Sequence, residues 1–378
     1  MVSKDMLMIV DGWVKKGDAD KAGKILKTSE QESPEFINAL NIANQWRLQH
    51  LDPLFTLFQL VCEVMNKQNI NALCSIRLKR LQSIINKLKR PTGHFKLGEI
   101  DDIGGCRIIV DDIHQIELLQ QELCSVLKSK EIAIKVKDYV FSPSKQDRYR
   151  SVHLLVRIPN GTRTEDGTTR LEIQIRTVKQ HLWATTIETL GSLYSTDYKS
   201  PVSTTADKEE RTVRQYFALV SNLIAIAEKC PTIPKYPSDL NENLNELKRL
   251  DTQLKKDFER DIKTDLEQAS KGIFKLPQMS FAKVGEKYIF YLFRVNTSQQ
   301  VISIDHLVKN NLSENARVYF QNEESFMEQH DDSSVMSWQD VVLVATSDRN
   351  KLQLAYPSYF LDTSEFITML EQFTNDIL

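Results

Sequence analysis

Six cations and no acid fall between Arg77 and Arg90: Arg77, Lys79, Arg80, Lys87, Lys89 and Arg90, with Ser83 among them. Read as a helix, this stretch puts Lys79 four residues before Ser83 and Lys87 four after it, flanking a hydroxyl with two ammonium groups on one face. Such a face can grip a polyphosphate; a solvated basic helix has the same composition. Asp101 and Asp102 then precede Gly104-Gly105-Cys106-Arg107 and a β-branched run. A carboxylate at a strand edge is a common Mg²⁺ ligand in nucleotide chemistry, and the glycines allow close backbone approach; a turn cap is the plainer alternative. Between Asp138 and His153, Lys145, Arg148 and Arg150 surround Tyr149 in a loop that re-enters a strand with Ser151 and His153 on one side. That loop offers a ring for a base and cations for phosphates, or else it is an exposed loop beside a hydrogen-bonded core histidine. Leu171 to Thr177 alternates, with Glu172, Gln174 and Arg176 on one face and Leu171, Ile173 and Ile175 on the other. Either a wet cleft or an exposed sheet face would suit it.

The elements that must hold these clusters follow from periodicity. From about Ser33 to Arg90 apolar residues recur at helical spacing, which predicts two or three helices. Past Gly93 the chain changes to strands at Cys106–Val110, Ile132–Phe141, Val152–Ile158 and Leu171–Ile175, with a helix at Ile113–Leu127. Turn signals at Asn160-Gly161 and Asp166-Gly167 separate the last two strands. This order fits a mixed sheet with helices packed on it. Helices are expected again at Val178–Tyr194 and Lys208–Glu228, then a linker marked by Pro231, Pro234 and Pro237. The Leu240 to Leu266 stripe predicts one helix of about thirty residues bridging two domains. Strands at Tyr288–Val295, Val301–Ile304, Val318–Phe320 and Val341–Ala345, with helices near Asn350–Ala355 and Thr363–Phe373, suggest a small α+β domain.

The 378 residues suffice for two or three domains with their own cores, and 41% of them are hydrophobic, which excludes a wholly disordered chain. No apolar run approaches the ~18 residues of a membrane span, and no signal peptide is legible, so a cytoplasmic protein is expected. Five cysteines without paired spacing argue for buried thiols rather than disulfides or zinc. A net charge of −2 predicts no global affinity for nucleic acid.

The order and spacing of the four clusters say more than any one of them. Arg-x-Lys-x₃-Ser-Ile-x₂-Lys, Asp-Ile-x-Gly-x-Arg, Asp-Tyr-x₃-Pro with Tyr-Arg-Ser-x-His, and Glu-Ile-Gln-Ile-Arg-Thr follow one another over about a hundred residues. Together they resemble the synthetase domain of the RelA/SpoT alarmone family, over roughly Trp46 to Ser200, with Gln180-His181-Leu182-Trp183-Ala184-Thr185 included. The resemblance implies an α+β fold with a nucleotidyltransferase-like mixed sheet flanked by helices. It also implies transfer of the β,γ-pyrophosphate of ATP to a ribose 3′-hydroxyl. Arg77, Lys79, Ser83 and Lys87 would then bind the ATP phosphates, with Arg107 and Lys145 in the same set and Arg107 orienting the carboxylates. Asp102 and Glu172 would hold Mg²⁺, and Glu172 could take the hydroxyl proton. Tyr149, Arg150, His153 and Gln174 would bind the acceptor. The loop departs from the family pattern, being one residue longer between Pro143 and Tyr149 and having Arg148 where glycine is usual.

No His-Asp hydrolase domain is expected before Arg77. The tail, with Ala355-Tyr356-Pro357-Ser358-Tyr359, resembles that of the CapRel-type fused toxin–antitoxin proteins, whose C-terminal domain is like a zinc finger without its metal. That resemblance implies pyrophosphorylation of the tRNA 3′-CCA end, relieved when a phage protein binds the C-terminal domain, with Tyr356 and Tyr359 as regulatory candidates. Synthesis of a guanosine or adenosine alarmone, and a nucleotide- or RNA-binding module without turnover, are the alternatives. Gln321–Asp332 carries five acids and no Lys or Arg, which suits an inhibitory segment facing a cationic cleft, or equally a solvated loop. The expected divisions are a synthetase domain at 1–230, a linker and bridging helix at 231–272, and a small metal-free α+β regulatory domain at 273–378.

Overall fold

A computed structural model of the chain describes residues 13–30, 33–90, 94–143, 148–159, 167–198, 202–271, 290–296, 301–307, 319–320, 340–346, 352–356 and 362–374. Three helices lead in: α1 (Lys16–Thr28), α2 (Pro34–Leu48) and α3 (Leu51–Lys67). Ser33 caps α2 by accepting from the Phe36 N–H, and Pro34 sits at its first position, where a missing N–H costs nothing. Then come β1 (Leu73–Leu78), α4 (Leu81–Leu88), β2 (Gly104–Val110), α5 (Ile113–Ser129), β3 (Ala133–Asp138), β4 (Val152–Pro159) and β5 (Thr168–Thr177). The basic stretch is therefore not one helix. Leu73 to Leu78 alternates with period two and forms a strand, so Arg77 is on β1 and Lys79 lies in the turn. Only Ser83 and Lys87 are on α4, which begins after the extended Arg80.

Strand order is β3-β4-β5-β2-β1-β8-β6-β7, where β6 (Phe290–Asn296), β7 (Val301–Leu307) and β8 (Asp340–Thr346) come from the C-terminal third. β2 and β5 pair in parallel, while β3–β4, β4–β5, β1–β2, β1–β8, β6–β8 and β6–β7 pair antiparallel. The fold is α+β, a mixed eight-stranded sheet flanked by helices. The C-terminal strands continue the sheet formed by β1 to β5, with Ser75, Ile76 and Arg77 of β1 in register with Thr346, Ala345 and Val344 of β8.

One face of the sheet is apolar. Ile76, Cys106, Ile108, Leu154 and Ile173 pack under Leu54, Phe58 and Val61 of α3 and Ile116, Leu119 and Leu123 of α5. Each such aliphatic side chain contributes roughly 1.5–3 kcal/mol relative to exposure. A Cβ at Gly104 would lie 2.8 Å from Leu171 Cδ2, so that methyl would have to shift for any other residue to fit. The opposite face carries the polar residues of β2, β4 and β5, and beyond β1 it turns apolar again at Tyr291, Phe293, Val342 and Val344.

β5 runs straight into α6 (Val178–Leu193), because Thr177 and Gln180 form a capping box. α7 (Lys208–Ala227) and α8 (Leu240–Phe258) follow, and the proline segment between them is clamped. Buried Asn222 donates to Pro237 O at 2.7 Å and accepts from the Ile233 N–H at 2.8 Å. The thirty-residue helix is two helices, since Glu259 takes a left-handed φ of 55° between α8 and α9 (Ile262–Lys271). Leu244, Leu247, Leu250, Leu254, Ile262 and Leu266 nonetheless form one buried seam against α6 and α7, closed by Phe366, Met369 and Phe373 of the last helix, Ser364–Thr374. Tyr319 and Phe320 are helical rather than extended. Cys62, Cys74, Cys106 and Cys230 are buried free thiols and Cys124 is half-buried.

His50, at the α2–α3 junction, is 2% exposed, and its Nδ1–H donates to Trp46 O at 2.7 Å. Burial pushes its pKa down to about 4, against the favourable Trp46 bond. The unfolded chain takes up a proton here from about pH 6.5 downward, while the folded chain does not until about pH 4, so stability is lost as pH falls through that window. Urea unfolding at pH 7 and pH 4 should show His50→Gln losing about 3 kcal/mol less than the wild-type chain over this interval.

Candidate active site

Strand register assembles the cleft. Gly105 of β2 stands between Arg77 of β1 and Glu172 of β5, and Gln174 lies between Arg107 and His153. Period-two alternation then turns these side chains to the face that α3 and α5 do not cover. The resulting cleft is lined by Arg77, Asp102, Arg107, Glu172, Gln174 and Tyr356 among others.

Asp102, in the turn before β2, accepts from Lys79 Nζ at 2.6 Å and from Lys87 Nζ at 2.8 Å. Burial alone would raise its pKa, yet the two ammonium groups hold it well below the usual carboxylate range. Lys79 is lowered by burial, with Asp102 opposing the shift. Ser83 stands half-buried one turn before Lys87, whose ammonium also lies 5.4 Å from the ring centroid of Phe95. Asp101 points elsewhere, to Arg170 Nη1 at 3.1 Å.

Glu172 heads a second network. His153 Nδ1 lies 2.8 Å from Glu172 Oε1 and Nε2 lies 3.1 Å from the Tyr149 hydroxyl. Gln174 Nε2 donates to Glu172 Oε2 at 2.7 Å, and Arg176 Nη2 donates to Gln174 Oε1 at 2.6 Å. The Arg176 guanidinium also sits 5.6 Å from the Tyr149 ring centroid. Burial works against a charged His153, but Tyr149 and Glu172 raise it to about 9. Burial would raise Glu172, and the nearby Asp102 charge adds to that, yet the His153 bond leaves it lowered. At neutral pH the pair is therefore imidazolium and carboxylate.

The donor set fits Mg²⁺. Two ionised carboxylates face one cleft and repel each other, and Mg²⁺ commonly takes one or two carboxylates and leaves its other positions to phosphate and water. Asp102 would have to release its lysines to become a ligand, which frees both ammonium groups for phosphate.

The C-terminal third reaches the same cleft. Arg107 Nη1 donates to Ala355 O at 3.1 Å, and His181 Nε2–H donates to Leu354 O at 2.8 Å, at the end of the short helix Leu352–Ala355. Burial, with Arg176 and Arg77 nearby, pushes Arg107 down to about 10. His181 is fully buried and held neutral by burial and by the Arg107 and Arg176 charges. Tyr356, 2% exposed, hydrogen-bonds through its hydroxyl to Ile76 O at 2.9 Å and Ala345 O at 3.2 Å, tying the tail to β1 and β8.

Of the expected site residues, Arg77, Lys79, Lys87, Asp102, Arg107, Tyr149, His153, Glu172 and Gln174 are brought together. Lys145, Tyr359 and the acidic segment 321–332 lie outside the described residues. Arg150 is a correction: it faces away from the acceptor side. Its guanidinium is buried and donates to Ser221 O at 3.2 Å and Val140 O at 3.3 Å, because the stretch before β4 that carries it packs against α7. Arg148 is also directed at α7, donating to Arg214 O at 3.2 Å. Sequence reasoning left Arg176 and His181 out of the site. Arg176 was visible as the third polar residue on the β5 face; His181, in an apolar helix, carried no signal beyond its segment.

A family model described as a region found in RelA / SpoT proteins matches residues 76–200. GTP pyrophosphokinase YwaC of Bacillus subtilis is 33% identical over 146 residues, 37% of this chain and 67% of that protein. GTP pyrophosphokinase YjbM of the same organism is 32% identical over 122 residues, 32% of this chain and 56% of that one. The small alarmone synthetase 2 structure from Bacillus subtilis is 25% identical and covers 48% of this chain and 91% of that one, with a TM-score of 0.36. The chain belongs to the RelA/SpoT family. The matched region is residues 76–200, and this chain spans about two thirds of one of these curated relatives and just over half of the other.

Arg150→Lys should lower stability by about 2 kcal/mol in denaturant unfolding, since a lysine cannot serve both Ser221 and Val140. Acceptor KM should stay at its wild-type value; an increase would return Arg150 to the acceptor side.

Proposed function

We propose that this chain is an ATP-dependent pyrophosphokinase whose acceptor is the ribose 3′-hydroxyl of a guanosine or adenosine nucleotide. The observation that carries this reading is the pair of ionised carboxylates, Asp102 and Glu172, facing one cleft among Arg77, Lys79, Lys87 and Arg107. The names of the two relatives, both GTP pyrophosphokinases, support a guanosine acceptor.

In this reading Lys79 and Lys87 leave Asp102 for the ATP phosphates, and Arg77 and Arg107 neutralise the rest of the charge. Mg²⁺ held by Asp102 and Glu172 would shield the pyrophosphate during transfer. The acceptor's 3′-oxygen attacks the β-phosphorus, the bond from that phosphorus to the α,β-bridging oxygen breaks, and AMP departs. Glu172 takes the hydroxyl proton, and the neighbouring His153 imidazolium stabilises the ionised form in which Glu172 can act. Tyr149 offers its ring to the acceptor base, with Gln174 beside it.

A second reading makes the acceptor the tRNA 3′-CCA end and the protein an autoinhibited toxin, released by a phage protein that binds the C-terminal third. Its support is the contact of that third with the cleft, where Leu354 and Ala355 carbonyls occupy His181 and Arg107, and Tyr356 lines the wall. Truncation after Gly272 is a poor test of it, because the cut removes β8 from beside β1 and Phe366 from the α6–α7 core.

Incubation with γ-labelled ATP and GDP, GTP, ATP or bulk tRNA should label a guanosine or adenosine nucleotide. Label on tRNA alone would move the conclusion to the second reading, and no label on any acceptor would overturn both. Glu172→Gln should cut the labelling rate about a hundredfold or more; near wild-type turnover would remove Glu172 from the chemistry. Tyr356→Ala should raise the rate several-fold if the tail restrains the site, and an unchanged rate in a sample whose thermal midpoint shows the variant folded would refute restraint.

A further inference from the structure

Arg47 is a fully buried arginine on α2, outside the four motifs. Nη1 donates to Asn44 Oδ1 at 2.8 Å, and Nη2 donates to the Tyr319 hydroxyl at 2.8 Å. Its guanidinium carbon lies 5.1 Å from the Tyr319 ring centroid and 4.8 Å from that of Phe320. Nε donates to the backbone carbonyl of Lys79 at 3.0 Å. A buried charge is costly unless such partners offset its lost hydration, so this guanidinium has little freedom to move.

The Lys79 backbone is thereby held on both sides. Its N–H donates to Ile103 O at 2.8 Å, one residue past Asp102, and its carbonyl accepts from Arg47. Its ammonium closes the loop on Asp102 at 2.6 Å. We propose that Arg47 is a positioning residue for the donor phosphates, and that Tyr319 and Phe320 complete it from the C-terminal third. The grip on ATP then depends on residues more than two hundred positions away from Lys79 in sequence. Phosphoryl-group transfer is sensitive to misplacement of about 1 Å, so a loosened Lys79 backbone weakens the donor site even while the cleft still forms. This inference rests on the pyrophosphokinase reading, because it assigns Lys79 to ATP.

The test measures binding of a non-hydrolysable ATP analogue to the full chain by calorimetry, beside the thermal midpoint, in both the wild-type and the Tyr356→Ala background. Arg47→Lys keeps the charge but gathers its donors on one nitrogen, which cannot span the three oxygens now met by three separate guanidinium nitrogens, and should weaken the analogue about tenfold. Tyr319→Phe keeps the ring and removes only the hydroxyl, and should weaken it about threefold. Arg150→Lys, a buried arginine directed at α7, should lower the midpoint without changing analogue affinity. If Arg47→Lys and Tyr319→Phe bind the analogue as tightly as the parent chain, or if Arg150→Lys weakens it equally, Arg47 is a purely structural residue. Absence of analogue binding in both parent backgrounds would overturn the pyrophosphokinase reading, and this one with it.

Discussion

The parallel pairing of β2 with β5 is the constraint from which the site follows. It puts the turn carrying Asp102 beside the strand carrying Glu172, so two carboxylates share one partly buried cleft. Neither could stay ionised there alone, since burial favours the neutral acid. Lys79 and Lys87 solve this for Asp102, and His153 and Gln174 solve it for Glu172. The cations around the cleft are thus part of the fold's charge balance, and under the proposed function they would become available to a polyphosphate that replaces the carboxylate.

The same charge balance extends into the C-terminal third. β8 closes the open edge of β1, which would otherwise expose a row of unpaired backbone groups beside the cleft. Tyr356 fastens that junction through two strand carbonyls, and the neighbouring carbonyls of Leu354 and Ala355 meet His181 and Arg107. His181 Nδ1 and the Nε atoms of Arg107 and Arg176 are buried without hydrogen-bond partners among the described residues. Polar groups left in that condition cost stability unless a ligand, water or rearrangement meets them. The region where the tail touches this face of the sheet is therefore under-satisfied.

Much of the site was legible because its signals are local. Alternation on Leu171 to Thr177 placed Glu172 and Gln174 on one face, and the spacing of the motifs placed Asp102 before a strand. The basic stretch was misread for an equally local reason: Leu73 to Leu78 is short, and its apolar residues also satisfy helical spacing when joined to the helices on either side. Arg150 was misassigned because a cation in a polar loop looks free until α7 is seen packed against it. The stripe from Leu240 to Leu266 predicted helical structure correctly, but the break at Glu259 has no glycine or proline to announce it.

By itself the sequence determined which residues could carry the chemistry and which strands would present them, since side-chain periodicity and motif spacing are properties of neighbouring residues. Tertiary structure alone decided what holds them. The β1–β8 pairing, the Arg47 contact with Tyr319 and the Ala355 carbonyl on Arg107 each join residues more than about two hundred positions apart. No local pattern encodes such contacts; they exist because buried edges and buried charges must find partners wherever the folded chain brings them.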